Sequence, residues 1–262
     1  MLVDQEPPGS ASQKLFGKYR ATVTQTRDPL NMGRIQADLP QGFPVNSTNW
    51  ALPCTPYAGK QIGFFTVPPV GSSVWIEFEQ GDIQKPIWSG CYWEADQLPS
   101  EAAVDQPDKV QVFKTEGMTI KLSNLDSGKG LFIEVKEPTV KETLKMTFNA
   151  AGIELNHHDQ IKAKLTSNTI ELTNGASSSV TITADSIQIK EGAIEIKLTT
   201  TNLELQASPA QISLSPSSGI QMGSGAASSK LSPAAIEFSN GAASIKLSPA
   251  SVNINNGALE VM

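Results

Sequence analysis

From Ile120 to Val261 the chain repeats one local pattern, an apolar pair at positions i and i+2. Examples are Ile170/Leu172, Val180/Ile182, Ile187/Ile189, Ile194/Ile196, Leu203/Leu205, Ile212/Leu214, Ile236/Phe238, Ile245/Leu247 and Leu259/Val261. Two-residue alternation belongs to a strand with one apolar face, and nowhere here does the ~3.6-residue period of a helix take over. Between the pairs sit turn formers, Asn-Gly at 174–175, 240–241 and 256–257, and Ser-Pro at 208–209, 215–216, 232–233 and 248–249. Gly225–Asn240 and Gly241–Asn256 match at ten of sixteen positions, and a third unit begins at Gly257. One sixteen-residue unit is therefore two strands and two corners, a solenoid signature.

A strand with two inward side chains cannot bury a core by itself. Neighbours must close it, and two arrangements supply them. One chain can coil on itself with about three strands per turn, or three copies can wind together, each giving one wall of a triangular prism. The period alone does not separate the two.

Composition divides the chain. Twelve of sixteen aromatics, including all four Trp, fall in residues 1–93. That part can build an ordinary core, while the Ser-, Thr-, Ala- and Asn-rich remainder must become ordered by repetition. Residues 17–93 carry six Lys/Arg against five Asp/Glu, and 94–262 carry thirteen against nineteen, so no basic footprint for nucleic acid exists. Cys54 and Cys91 could pair, but two buried thiols of a protein assembled in a reducing cytosol is the preferred reading. No stretch reaches the ~20 apolar residues of a membrane span. The acidic, Pro-interrupted start "MLVDQEPPGSASQKLF" is unlike a signal peptide, so synthesis as a soluble cytoplasmic protein is expected.

The reading along the chain is a flexible arm at 1–16, a small antiparallel barrel at 17–93, a linker at 94–111 and a β-helical spike at 112–262. The barrel rests on short alternating segments separated by Gly/Pro turns, such as "SVWIEF" with Val74, Ile76 and Phe78 on one face. The linker is acidic and poor in apolar residues, and it holds Pro99 and Pro107.

Candidate chemistry is sparse. His157 and His158 are adjacent, and adjacent strand residues point to opposite faces, so one chain cannot aim both at one ion. They read as a polar corner, and no metal site is expected. "DSGKG" at 126–130 lacks the following Ser/Thr and the helix of a phosphate loop, and reads as a hairpin turn. "GSGAAS" at 223–228 is a Gly-rich kink, and "NST" at Asn46 is a loop. No base is placed to activate any Ser, so no catalytic residue is assigned and no cofactor is expected. Trp50, Trp75, Trp88 and Trp93 read as core and inter-subunit packing.

Residues 17–93 resemble the oligomer-binding (OB) domain of central spike proteins from contractile tails, the family of phage baseplate assembly protein V and valine-glycine-repeat type VI spikes. The resemblance rests on "GKYRATVTQTRDPLNMGRIQADLP", "WALPCTPYAG", "GFFTVPPVGSSVWIEFEQGD" and "KPIWSGCYW". It extends to "VFKTEGMTIKLSNLDSGKGLFIEV" at 112–135, similar to the family's entry into its spike. It implies an all-β homotrimer with OB barrels on a separate tail hub and an intertwined triple-stranded β-helix as needle. No lysozyme-like insert is present, and the C-terminal segment has no His for the iron site that some phage spikes carry.

The expected function is non-enzymatic. A trimeric needle at the end of a phage tail tube, or of a phage-like injection particle, pierces the target envelope with only transient membrane contact. With ~14 strands at ~4.8 Å each, the needle would run on the order of 65 Å. The alternative is a single-chain β-solenoid adhesin or receptor-binding fibre. The apolar end formed by Leu259, Val261 and Met262 is expected to dock a separate conical tip protein of the proline-alanine-alanine-arginine (PAAR) type.

Overall fold

The structure, a computed structural model, describes residues 14–261. It divides into two compact units, Met1–Leu98 and Pro99–Met262. Met262, and the expected arm apart from its last three residues, lie outside the described residues.

In the first unit, β1 (Tyr19–Gln25), β2 (Gln36–Asp38), β3 (Leu52–Pro53), β6 (Ser73–Phe78) and β7 (Pro86–Cys91) form one sheet in the order β2-β1-β6-β7-β3. Its ends meet where Ala51 and Ile35 exchange backbone hydrogen bonds of 2.8 and 3.2 Å, which closes a barrel. The pairing is antiparallel except for β3 with β7, which run parallel. A separate hairpin, β4 (Ala58–Gly59) with β5 (Ile62–Gly63), stands outside this sheet.

Alternation explains the core. Val74, Ile76 and Phe78 of β6 point inward beside Ala21 and Val23 of β1, with Ile35, Ala37, Ala51 and Trp88. Val23, Ile35, Val74 and Ile76 have essentially no exposed surface. Burial of each such side chain contributes about 1.5–3 kcal/mol. Tyr19 meets Phe43 edge-on at 4.8 Å between ring centres, and this pair lies over the Phe78 side of the core. Leu15, assigned to the flexible arm by sequence, is buried, and its N–H donates to the Gly81 carbonyl at 3.1 Å. An apolar side chain with a core position to fill and a loop carbonyl to meet does not stay in a free arm.

The second unit is an antiparallel meander of eighteen strands, from Val110–Lys114 to Leu259–Val261. Each strand pairs with the next, and among the described residues no ladder joins the first strand to the last. A chain coiled on itself with three strands per turn would run parallel ladders between strands three apart. The observed ladders instead join consecutive strands within one chain, which is how one wall of a prism is built. Eighteen strands at ~4.8 Å stack on the order of 80 Å, more than the sequence count allowed.

Each sixteen-residue unit is one hairpin with two kinds of corner. At one edge Thr166, Thr183, Thr199, Ser215, Ser232 and Ser248 each accept a backbone N–H on the side-chain oxygen from the residue three later. At the other edge Asn240-Gly241-Ala242-Ala243 closes in two residues with Gly241 at φ 60. Glycine at the first central position with positive φ is the requirement of a type II′ hairpin turn, whose twist matches the strands. "GSGAAS" makes the same turn at Gly225, and "DSGKG" is the hairpin connection between Met118–Ser123 and Gly130–Val135.

Candidate functional site

The register of the meander aligns the apolar pairs into columns. Ile120, Ile133, Met146, Leu155, Ala163, Leu172, Val180, Ile189, Ile196, Leu205 and Ile212 lie opposite one another from strand to strand. A second column runs through Leu122, Leu131, Phe148, Ile153, Leu165, Ile170, Ile182, Ile187, Leu198, Leu203, Leu214 and Ile220. Every sequence-assigned pair from Ile120/Leu122 to Val252/Ile254 falls on this one face.

That face is open. Leu172 is 50% exposed and Phe238 53%, and Val110 is the one buried hydrophobic of the second unit among the described residues. All the others belong to the barrel. A single-layer sheet with an uncovered apolar face has no core, so its interior must come from elsewhere. Between Ile133 and Glu191 the face is concave, enclosing about 810 Å³ lined mainly by Leu144, Met146, Leu155, Leu172 and Val180.

A third column on the same face changes character along the wall. It begins apolar with Met118, Val135 and Leu144, passes His157, Ile161, Asn174, Ser178 and Glu191, and continues through Ile194, Ala207 and Ala210. Glu191 is the one carboxylate placed among these columns, and the Ser178 hydroxyl donates to it at 2.5 Å. The opposite face is polar and its charges alternate. Glu154, Lys164 and Glu171 are cross-strand neighbours, as are Lys197 with Glu204 and Lys230 with Glu237 and Lys246. Opposite charges directly across a ladder favour the observed register over a slipped one. Hydrogen bonding from the Gln188 amide, with Lys190 nearby, holds the Glu195 carboxyl below its ordinary range.

His157 points to the apolar face, while His158, at φ 52, turns away and its Nδ1 lies 2.7 Å from Glu142. The pair thus forms a hairpin corner, with Asp159 held by Asn156. Among the described residues no group of three His, Cys, Asp or Glu is arranged to hold a metal ion. Leu259 is 56% exposed and pairs with Ile254, and Val261 pairs with Val252.

In the barrel, the "DPLNMGR" stretch is organised by one carboxylate. Asp28 accepts N–H bonds from Leu30 at 3.0 Å, Met32 at 2.7 Å and Arg34 at 3.3 Å, and two more from the Arg34 guanidinium. The guanidinium first, then these backbone donors, holds the Asp28 carboxyl well below the usual carboxylate range. This anchor was missed in the sequence, where Asp-Pro read only as a turn.

The four Trp are placed unequally. Trp88 is buried with its indole N–H on the Gly33 carbonyl, Trp75 packs at a tilt against Tyr92 beneath Arg20, Trp50 lies under Arg34, and Trp93 is exposed. Cys54 and Cys91 are unpaired, but both are exposed rather than buried. They sit where β3 and β7 run out at an open cavity, not in the core.

Residues 19–93 match the family model of the type VI secretion system/phage-baseplate injector OB domain. Residues 196–260 match that of the phage baseplate V C-terminal trimerisation domain. A search of curated proteins gave no match.

Proposed function

Since the chain belongs to the phage baseplate V and valine-glycine-repeat spike family of contractile injectors, we propose that three copies form the needle that leads the tail tube through the target envelope. The chain is a structural baseplate protein, all-β, with an OB barrel and a trimerising β-helical needle.

One observation carries it, the unbroken apolar face over eighteen strands with no core behind it. Three such walls closed on one another bury each other's faces and leave the polar, charge-alternating faces outward. Backbone hydrogen bonds then run along the axis, so a push along the axis loads every ladder in turn. The work comes from contraction elsewhere, and this chain transmits it. The adhesin alternative required a chain closed on itself, and the consecutive antiparallel ladders favour the wall instead.

In this reading the barrels meet a separate hub and the C-terminal end receives a small PAAR-type tip on Leu259, Val261 and Met262. The exposed Leu259 beside Ile254 supports the second contact. Native mass measurement tests the assembly: a trimer that survives SDS is expected, and a monomer overturns the needle. Co-purification with hub and tip proteins tests the ends. Leu259→Asp is expected to abolish tip capture while the trimer persists, and undiminished capture removes the tip contact from the reading.

A further inference from the structure

A large uncovered feature outside the needle lies on the barrel. The Asp28-organised loop, the β4–β5 hairpin and the end of β7 surround an open cavity of about 830 Å³. Met32, Tyr57, Ile62, Phe64 and Phe65 line it and are 51–77% exposed, with buried Trp88 at its floor. Among the described residues no Asp, Glu, Lys, Arg or His lines it, in a chain that is 18% charged.

The surface is also firmly built. The five bonds to Asp28 set the loop that carries Met32. Phe64 N–H donates to the Tyr57 carbonyl at 2.8 Å, and Thr55 Oγ1 donates to the Phe64 carbonyl at 2.9 Å, which fixes the hairpin. The loop and hairpin touch, since a methyl placed on Gly33 would lie 3.1 Å from the Phe65 ring. A rigid surface loses little freedom on binding.

We propose that this uncharged cavity is where the barrels of neighbouring copies in the trimer grip one another, a contact that rests on the trimeric reading above. Two observations select a second copy as occupant. Contacts between permanently associated copies are apolar and depleted of charge, whereas surfaces that meet separately folded partners are about as polar as the rest of a protein. In addition, the trimerisation domain holds three barrels on one assembly. Tethering raises their mutual concentration to the order of millimolar, so a contact too weak to pair free barrels stays closed. Three-fold closure then requires each barrel to give one surface and receive another, which makes a ring rather than a chain of barrels.

The test uses the full-length protein with Cys54→Ser and Cys91→Ser, so that one introduced thiol reports. Ile62→Cys places it in the cavity, and Lys85→Cys places it on an exposed position outside. Native mass is measured on the same samples. In a confirmed trimer the Ile62→Cys thiol is expected to react with a maleimide at least tenfold more slowly than the Lys85→Cys thiol. Adding Phe64→Asp and Phe65→Asp is expected to leave the trimeric mass unchanged and bring the two rates within about twofold. Equal rates in the unmodified trimer overturn the proposal and leave the cavity to a different protein. A monomeric mass overturns the trimer first and this contact with it. Hydroxyl-radical labelling of the unsubstituted protein gives an independent reading. Tyr57, Phe64 and Phe65 labelled as strongly as exposed Trp93 would refute the contact, and clear protection of all three supports it.

Discussion

The Ser178 hydroxyl donates a 2.5 Å hydrogen bond to the Glu191 carboxylate on the predominantly apolar side of the sheet. A carboxylate on a face that closes against other copies loses water and gains one neutral donor in exchange. Such burial costs more than a single hydroxyl returns. Glu191→Leu is therefore expected to raise the thermal midpoint of the trimer by several degrees. Thermal unfolding followed by circular dichroism measures this, and an unchanged or lower midpoint would place Glu191 in water after assembly.

The Asp28–Arg34 anchor makes barrel stability depend on pH with a definite sign. The Asp28 carboxyl is held below its ordinary range in the folded protein. Its contribution is therefore complete above the unfolded value, about 4, and is lost as pH falls through the lower folded value. Asp28→Asn should destabilise the barrel at pH 7, and the deficit should shrink toward pH 2. Fluorescence of the four Trp, all in the barrel, follows denaturant unfolding at each pH. A deficit independent of pH would show that the loop is held by shape and not by charge.

The two units bury their apolar surface differently, and this should appear as two transitions. The barrel has a core of its own, so its unfolding should depend far less on protein concentration than the wall's does. The wall's stability is shared between copies, so its midpoint should rise with concentration. Leu172→Asp, on the open face, should abolish the second transition and the trimeric mass, while Lys197→Ser, on the polar face, should change the midpoint by little. A single concentration-independent transition would mean that the wall finds its cover within one chain.

Two glycines four residues apart should respond in opposite ways to the same change. Gly219 has φ 75, and a methyl there would lie 1.9 Å from the Leu231 carbonyl oxygen. Gly219→Ala forces that ladder apart and should cost about 1–3 kcal/mol per chain. Gly223 has its nearest contact at 3.7 Å and an ordinary φ. Gly223→Ala should be neutral or stabilising by about 0.5 kcal/mol. Chemical denaturation of the two variants side by side decides it, and equal losses would contradict the geometry.

The wall was legible in the sequence because its rule is local. Pairs such as Ile187/Ile189 and corners such as Asn240-Gly241 announce strand and turn within a few residues, and the structure places them so. What alternation cannot announce is which strand pairs with which, because a coil and a meander share the same period. The barrel was legible as a set of strands, but the parallel pairing of Leu52–Pro53 with Ile87–Trp88 joins segments more than thirty residues apart with no local mark. Cys54 and Cys91 were misjudged for a related reason. Their apolar neighbours signal a core, but exposure depends on where β3 and β7 end, which is a property of the closed barrel. Asp28 was overlooked because its partners, two backbone N–H groups and Arg34, become visible only once the loop is folded.

The corner ladder of Thr166, Thr183, Thr199, Ser215, Ser232 and Ser248 has a consequence for how such shafts vary in size. Each hairpin begins and ends on the same edge with the same face inward, so a unit can be inserted or removed between corners without turning its neighbours over. Length is then quantised, changing by about two strand spacings, roughly 10 Å, per sixteen-residue unit. Tandem duplication of one unit gives a lineage a direct way to lengthen the shaft by a fixed step without redesigning any other part of it.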